Sequence, residues 1–253
     1  MHFLIANSIS TVSAKFLSFT WLNNALVDFF NLLHSGVEVV FKNPNISYGL
    51  TIILLTVIIR LLLYPLNRKQ LKSTSKMNEI QPKIKELQKK YKNNPEKLNQ
   101  ETMKLYKEEG VNPLGGCLPL LLQWPILIAM YSVFMNLATL NPNISEVTFL
   151  GLRLLDSPAG IQAVMGNPLL VGTWILPLVS GATTYLSTSM LSPKNSETSK
   201  QTGTMSIGMS LFITYLSFQF TTALVLYWVT NNLFQLAQTL VIKRSSTKQI
   251  QEA

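Results

Sequence analysis

The stretch SYGLTIILLTVIIRLLLYPL, Ser47–Leu66, decides how this chain is read. Its twenty residues are enough to cross a bilayer as a helix, and Arg60 is the one charge among them. An ionised side chain near the centre of a membrane helix costs about 2.5–3.5 kcal/mol on insertion scales. A carboxylate partner usually offsets that cost, yet all twelve Asp and Glu residues fall outside every candidate span. Two readings stay open. Arg60 lies six residues from the end of the run, about 9 Å at helical rise, so its guanidinium can snorkel to the nearer surface. Alternatively it faces water, and water at that depth requires a cavity lined by polar groups.

Composition supports a membrane chain. Of the 253 residues, 47% are hydrophobic and 13% charged, and mean hydropathy is +0.26; soluble domains average about 25% charged. The single cysteine, Cys117, excludes an intrachain disulfide or a multi-cysteine metal site. His2 and His34 have no carboxylate cluster in sequence beside them. No phosphate-binding glycine loop, Ser/His/Asp array or zinc motif is evident, so nothing points to an enzyme or a cofactor. Nor is there a basic segment before an apolar core with a cleavage site, as a removable signal peptide would need.

Apolar windows predict five spans: Ser47–Leu66, Gly116–Leu137, Pro168–Met190, Thr204–Phe220 and Thr221–Ile242. The last two form one stretch too long for a single crossing, so a tight re-entry is expected near Gln219–Thr222. Seventeen Lys and Arg residues fall in Asn67–Gly115, Leu191–Gly203 and the tail after Ile242, against Lys15, Lys42 and Arg153 on the other side. The positive-inside rule then places the N-terminus outside and the C-terminus in the cytoplasm. The expected organisation is an extracytoplasmic segment (1–45), the first span (46–66), a cytoplasmic helical hairpin (67–115), spans two to five (116–242) and a short tail (243–253).

Before the first span, Leu22, Leu26, Phe29, Leu33, Val37 and Val40 recur at steps of three and four, with Asn24, Asp28, Asn31, Ser35 and Glu38 between them. This predicts an amphipathic helix, most simply one lying on the outer leaflet; the alternative is a sixth span, which Asp28 and Glu38 disfavour. In the hairpin, Met77, Ile80, Ile84, Leu87 and Tyr91 form an apolar seam, interrupted by Pro82, where a kink or restart is expected. Asn94-Pro95 reads as the cap and first turn of a second helix, whose Leu98, Leu105 and Tyr106 face the first. The hairpin carries +6, from twelve Lys/Arg and six Glu. Such a surface can attract anionic headgroups, ribosomal RNA or an acidic partner, or can be an ordinary solvated face.

Polar residues recur along one face of each span. Thr56, Arg60 and Asn67 share a face of the first, and Gln123 polarises the second. The third carries Thr173, Ser180, Thr184 and Ser187, and the fourth Ser210, Thr214 and Ser217. Trp228, Asn231, Gln235 and Gln238 follow at steps of three and four in the last. Ser and Thr commonly sit at close helix contacts because they are small. The amides need partners or water. One cavity would serve all five stripes. Leu50–Leu55 and Leu127–Phe134 keep the outer half apolar, so the expectation is a groove open to the cytoplasm and blocked outside.

Three segments in this order, IIRLLLYPLNRKQ (58–70), GVNPLGGCLPLLLQWPILIAMY (110–131) and TTALVLYWVTNNLFQLAQTLVI (221–242), together with the basic hairpin, resemble the YidC family of membrane protein insertases. The resemblance runs from about Val37 to Arg244. It implies an all-α polytopic fold of five spans, a hydrophilic groove in the inner leaflet, no enzymatic activity and no cofactor. The functionally important groove arginine of the family would be Arg60. Trp228 matches the aromatic of the LYW stretch, and Gln123-Trp124-Pro125 the second-span pattern. Together with the polar stripes, the resemblance gives a candidate substrate groove of Arg60, Gln123, Thr184, Ser187, Trp228, Asn231, Gln235 and Gln238. Implied partners are nascent single- or double-span membrane proteins and the lipid bilayer of the plasma membrane, with the Sec translocon and the ribosome as further candidates and nothing to suggest DNA. Relatives often carry glutamine where this chain has Ser187. The eleven-residue tail and the lack of a large extracytoplasmic domain resemble the compact Gram-positive form. A small transporter or flippase would need titratable groups in its spans, and a passive assembly scaffold would tolerate loss of Arg60.

Overall fold

The computed structural model describes residues 20–112, 118–140, 142–158, 160, 165, 167–191 and 198–251, and these are overwhelmingly helical. Among the described residues eight α-helices follow in chain order: α1 (Thr20–Val40), α2 (Pro44–Leu62), α3 (Tyr64–Lys90), α4 (Pro95–Glu108), α5 (Leu118–Leu140), α6 (Ile175–Leu191), α7 (Thr198–Gln219) and α8 (Thr222–Gln251). Tight 3-10 turns occupy Pro142–Glu146 and Pro168–Trp174. Among the described residues, α2 has the length and apolar character to cross a membrane, with a mean hydropathy of 1.9 over its most apolar window.

Several boundaries move for local reasons. The first apolar run stops at Leu62 because Pro65 cannot donate a backbone hydrogen bond and instead occupies the first turn of α3. At the other end of α2, the Asn43 side chain accepts from the Asn45 amide at 3.0 Å. The Gly116–Cys117 start of the second predicted span lies outside the described residues, and α5 runs on to Leu140. The first seven residues of the third form the Pro168–Trp174 turn, leaving α6 only seventeen residues long. The long apolar stretch breaks where expected: α7 ends at Gln219 and α8 begins at Thr222. The predicted tail continues α8 as helix to Gln251.

In the hairpin, α3 passes through Pro82 without restarting. Asn94 caps α4 by accepting from the Lys97 amide at 3.0 Å. Ile80 and Ile84 are buried against Met77, Leu105 and Tyr106, joined by Val111 from the irregular segment beyond α4. Lys83 pairs with Glu109 across the two arms.

The principal core is built from α1, α2, α5 and the first turns of α8: Val27, Phe30, Ile52, Leu55, Met130, Val133, Phe134, Leu137, Leu224 and Tyr227 are among its members. Thus α1 packs into the bundle. Its Asn24, Asp28, Asn31, Ser35 and Glu38 are exposed as expected, but Val27, Phe30 and Val37 dock it against the bundle, while Val40 is exposed. A short antiparallel ribbon, β1 (Thr148–Phe149) with β2 (Leu152–Arg153), was not anticipated. It turns through Leu150 and Gly151, both at positive φ. Its Phe149 ring lies so close over Gly49 that a Cβ there would overlap it. Its outgoing arm meets α8, whose first amides need acceptors. The Asp156 carbonyl accepts from the Thr222 amide at 2.9 Å and from its hydroxyl at 3.0 Å, and the Leu154 carbonyl accepts from the Ala223 amide at 2.8 Å.

Two outcomes follow from these contacts. Gly49→Ala should push the Phe149 ring off α2 and lower stability by about 1–3 kcal/mol, read as a reduced thermal midpoint in detergent. The second concerns His34, whose ring stacks on Tyr48 with 3.9 Å between centroids and whose Nε2 lies 3.1 Å from the Ser47 hydroxyl. Burial lowers its pKa from 6.5, and Glu38 only partly opposes this. The folded state therefore favours neutral imidazole, so its contribution is complete above pH 6.5 and falls as the pH drops below that value. The thermal midpoint should decline on acidification from about pH 8 to about pH 5. His34→Asn should flatten that part of the decline.

Candidate functional site: an amide-lined cavity around Arg60

Beyond the apolar core, the same helices change character. The last two turns of α2 carry Thr56 and Arg60, α5 brings Gln123 and Ile126, and α8 presents Tyr227, Asn231, Gln235 and Gln238. The first turns of α3 add Asn67, Gln70, Leu71 and Thr74. Together they enclose a cavity of about 50 Å³, room for a few water molecules.

Arg60 is 8% exposed and engages neutral acceptors. Its Nε donates to Asn231 Oδ1 at 2.5 Å, and Nη2 donates to Gln235 Oε1 at 3.3 Å. Asn231 Nδ2 in turn donates to Gln123 Oε1 at 3.4 Å, and Gln123 Nε2 donates to the Tyr227 hydroxyl oxygen at 2.8 Å. One line of hydrogen bonds therefore joins α2, α8 and α5. None of the ion pairs among the described residues includes Arg60. Its positive charge is dispersed onto amide dipoles, and the guanidinium, with five N–H groups, keeps donor capacity for the cavity. Snorkelling past the end of α2 is not what the structure displays: the side chain turns inward.

Of the residues expected at the site, Arg60, Gln123, Asn231, Gln235 and Gln238 meet around the cavity. Trp228, Thr184 and Ser187 are not among its lining. Trp228 is half-buried one position round α8 from Tyr227. Thr184 accepts from Asn232 Nδ2 at 2.8 Å, which ties α6 to an adjacent flank of α8, and Ser187 is buried on the same side of α6. The small-residue stripes of α6 and α7 serve each other. The Ser217 hydroxyl donates to the Ser180 hydroxyl at 3.0 Å, and Gly181 admits Thr214. The polar faces thus divide into one cavity and one close-packed seam, so a single cavity does not serve all five stripes.

Sequence reasoning missed Tyr227, Asn232, Gln70 and Thr74. Tyr227 lies four residues before Asn231 and Trp228 three, so periodicity alone could not separate them. Gln70 and Thr74 continue the stripe of Arg60 and Asn67 across Pro65, in a segment assigned wholly to the hairpin.

Sequence comparison identifies the family. A family model described as 60Kd inner membrane protein matches residues 39–249. The chain belongs to this family. It is 47% identical over 228 residues to the membrane protein insertase YidC of Clostridium tetani, covering 90% of this chain and 96% of that one. It is 48% identical over 232 residues to the insertase YidC of Clostridium acetobutylicum, covering 91% and 87% respectively. The membrane protein insertase MisCA of Bacillus subtilis is 38% identical over 216 residues, covering 84% of this chain and 76% of its own. The chain is accordingly a bacterial membrane protein of the YidC insertase family. These relatives do not favour a transporter, a flippase or a passive scaffold.

The network makes a quantitative expectation. Asn231→Leu removes the acceptor of a buried charge and should destabilise by about 2 kcal/mol, since hydrogen bonds to charged groups are worth about 1.5–3 kcal/mol. The double variant Arg60→Met/Asn231→Leu should cost less than the two single losses added together, because it leaves no orphaned charge. Additive thermal-unfolding losses would show that the two residues act independently.

Proposed function

We propose that this insertase lowers the barrier to moving a short hydrophilic tail across the membrane by hydrating it through the cytoplasmic half of the bilayer. The reading rests on one observation: a buried arginine held by neutral amides beside a water-sized cavity, with an apolar core beyond it. Polar groups entering hydrocarbon without partners cost several kcal/mol each, which makes unaided crossing slow. A cavity lined by Gln123, Asn231, Gln235 and Gln238 replaces part of the tail's water. Arg60 attracts carboxylates strongly because the local dielectric is low.

In this reading α2, α5, the segment from Pro168 to Leu191, α7 and α8 are the five spans, with the N-terminus outside and the C-terminus in the cytoplasm. The basic α3–α4 hairpin then lies on the cytoplasmic side and meets substrate first. Ile52, Leu55, Met130 and Phe134 form the outer seal. At rest the cavity accommodates water and not a peptide, so a tail enters as α3 parts from α5 and α6. The apolar segment of the substrate follows into lipid, drawn by about 25 cal/mol per Å² of buried apolar surface. The Sec translocon and the ribosome fit as cytoplasmic-side or lateral partners. Thr184, Ser187 and Trp228 contribute only if the helices around α8 separate during insertion.

Insertion of single-span substrates into vesicles containing only this protein tests the reading. Arg60→Lys should keep most of the activity with acidic tails, whereas Arg60→Ala and Arg60→Glu should lose about tenfold or more, equivalent to one charge-assisted hydrogen bond. The deficit should shrink when the tail lacks carboxylates. Wild-type rates for Arg60→Ala with acidic tails would remove the electrostatic role.

A further inference from the structure

At the hairpin end of the cavity stands a second group of donors that the Arg60 network does not use. Asn67, Gln70 and Gln238 are 8%, 6% and 6% exposed, and all three line the cavity. Asn67 Nδ2, Gln70 Nε2 and Gln238 Nε2 are buried and have no hydrogen-bond acceptor among the described residues. An unpaired buried amide costs about 1–3 kcal/mol, so three at one place mark a surface built to receive acceptors from elsewhere.

The opening of α3 indicates which acceptors. Asn67, Gln70, Leu71 and Thr74, at i, i+3, i+4 and i+7, turn one face to the cavity. The same turns carry Arg68, Lys69, Lys72 and Lys76, and every one of these is exposed. Four cations are within a turn of the cavity and none lines it. A site for phosphate or for a run of carboxylates would gain most by admitting them. What lines the cavity here is hydrogen-bonding capacity with no charge beyond Arg60.

We infer that Asn67, Gln70 and Gln238 bind the main chain of the crossing tail, donating to its peptide carbonyl oxygens. The peptide group is the neutral acceptor that every substrate carries, whatever its side chains. A terminal amide is its natural complement, because it can donate to the carbonyl and accept from the N–H. Contact of this kind replaces the water lost by the backbone, the largest polar cost of entering the bilayer. The inference rests on the tail-hydration reading above and extends it by separating two selectivities. Arg60 responds to the charge of the tail, and the three amides respond to its backbone.

The test compares two substrates that differ only in an acidic or an uncharged, hydrophilic tail. Insertion is measured in vesicles with Asn67→Leu, Gln238→Met and their combination, alongside Arg60→Ala. The combined variant should reduce insertion of both tails by the same factor, about 5-fold or more for two lost hydrogen bonds. Arg60→Ala should remain selective for the acidic tail. Since apolar replacements remove orphaned donors, the thermal midpoint should hold or rise. As a measurement on an otherwise unaltered cavity, a photo-reactive phenylalanine analogue at position 71 should crosslink to both tails with similar yield.

Loss confined to acidic tails would make these amides a carboxylate subsite and overturn the inference. Loss that tracks the anionic lipid content of the vesicles would assign them to a headgroup phosphate and overturn it equally. Normal insertion by the combined variant, with Arg60→Ala still defective, would overturn the main-chain role while leaving tail hydration intact. Normal insertion by all variants would overturn both.

Discussion

The charge on Arg60 has no carboxylate to meet among the described residues, and the architecture around it follows from that. An ion pair would neutralise the guanidinium and leave it little reason to attract anything. Amide oxygens stabilise it through dipoles and leave its net charge intact. The acceptors come from a helix more than 170 positions away in sequence, so the charge also fixes α2 against α8. Gln123 and Tyr227 extend the line to α5. A site that must receive many different tails benefits from a cation that is held without being neutralised.

Polarity is graded along the helices. Within α2, Ile52 and Leu55 belong to the core, and within a turn or two Thr56 and Arg60 face the cavity. Within α5 the order is reversed in sequence, with Gln123 and Ile126 at the cavity and Met130, Val133 and Phe134 in the core, as antiparallel packing requires. Within α8 Tyr227 belongs to both, its ring in the core and its hydroxyl bonded to Gln123. The seal and the cavity are therefore parts of the same helices. Altering one will disturb the geometry of the other.

Much of this was legible in the sequence because membrane chains obey few rules strictly. The amide stripe at steps of three and four and Asn94-Pro95 each had one simple reading, and the structure agrees with the geometry of both; the uncompensated arginine had two, and its bonds to Asn231 and Gln235 decide for the inward one. Other features depended on tertiary choices that periodicity does not make. Thr184 and Ser187 had the spacing of a cavity face, but small hydroxyl side chains suit a helix seam equally well, and packing against α8 and α7 decided for the seam. Asn231 and Asn232 are neighbours with identical side chains, and only the placement of α8 sends one to Arg60 and the other to Thr183 and Thr184. The β1–β2 ribbon rests on two residues per strand, too few for any sequence pattern to announce.

That ribbon has a mechanical meaning. By engaging the first amides of α8, the Leu154 and Asp156 carbonyls act as an end stop for the helix. A helix advances 1.5 Å and turns 100° per residue, so a slip of one position would roll Asn232 toward where Asn231 stood. Arg60 would then face the wrong side chain, although the sequence of α8 had not changed. The stop lies roughly 14 Å from Asn231 along the helix, on the far side of the apolar core. Contacts at one end of the molecule thus index the roll of the cavity wall at the other, as a keyed shaft aligns a part that the key never touches.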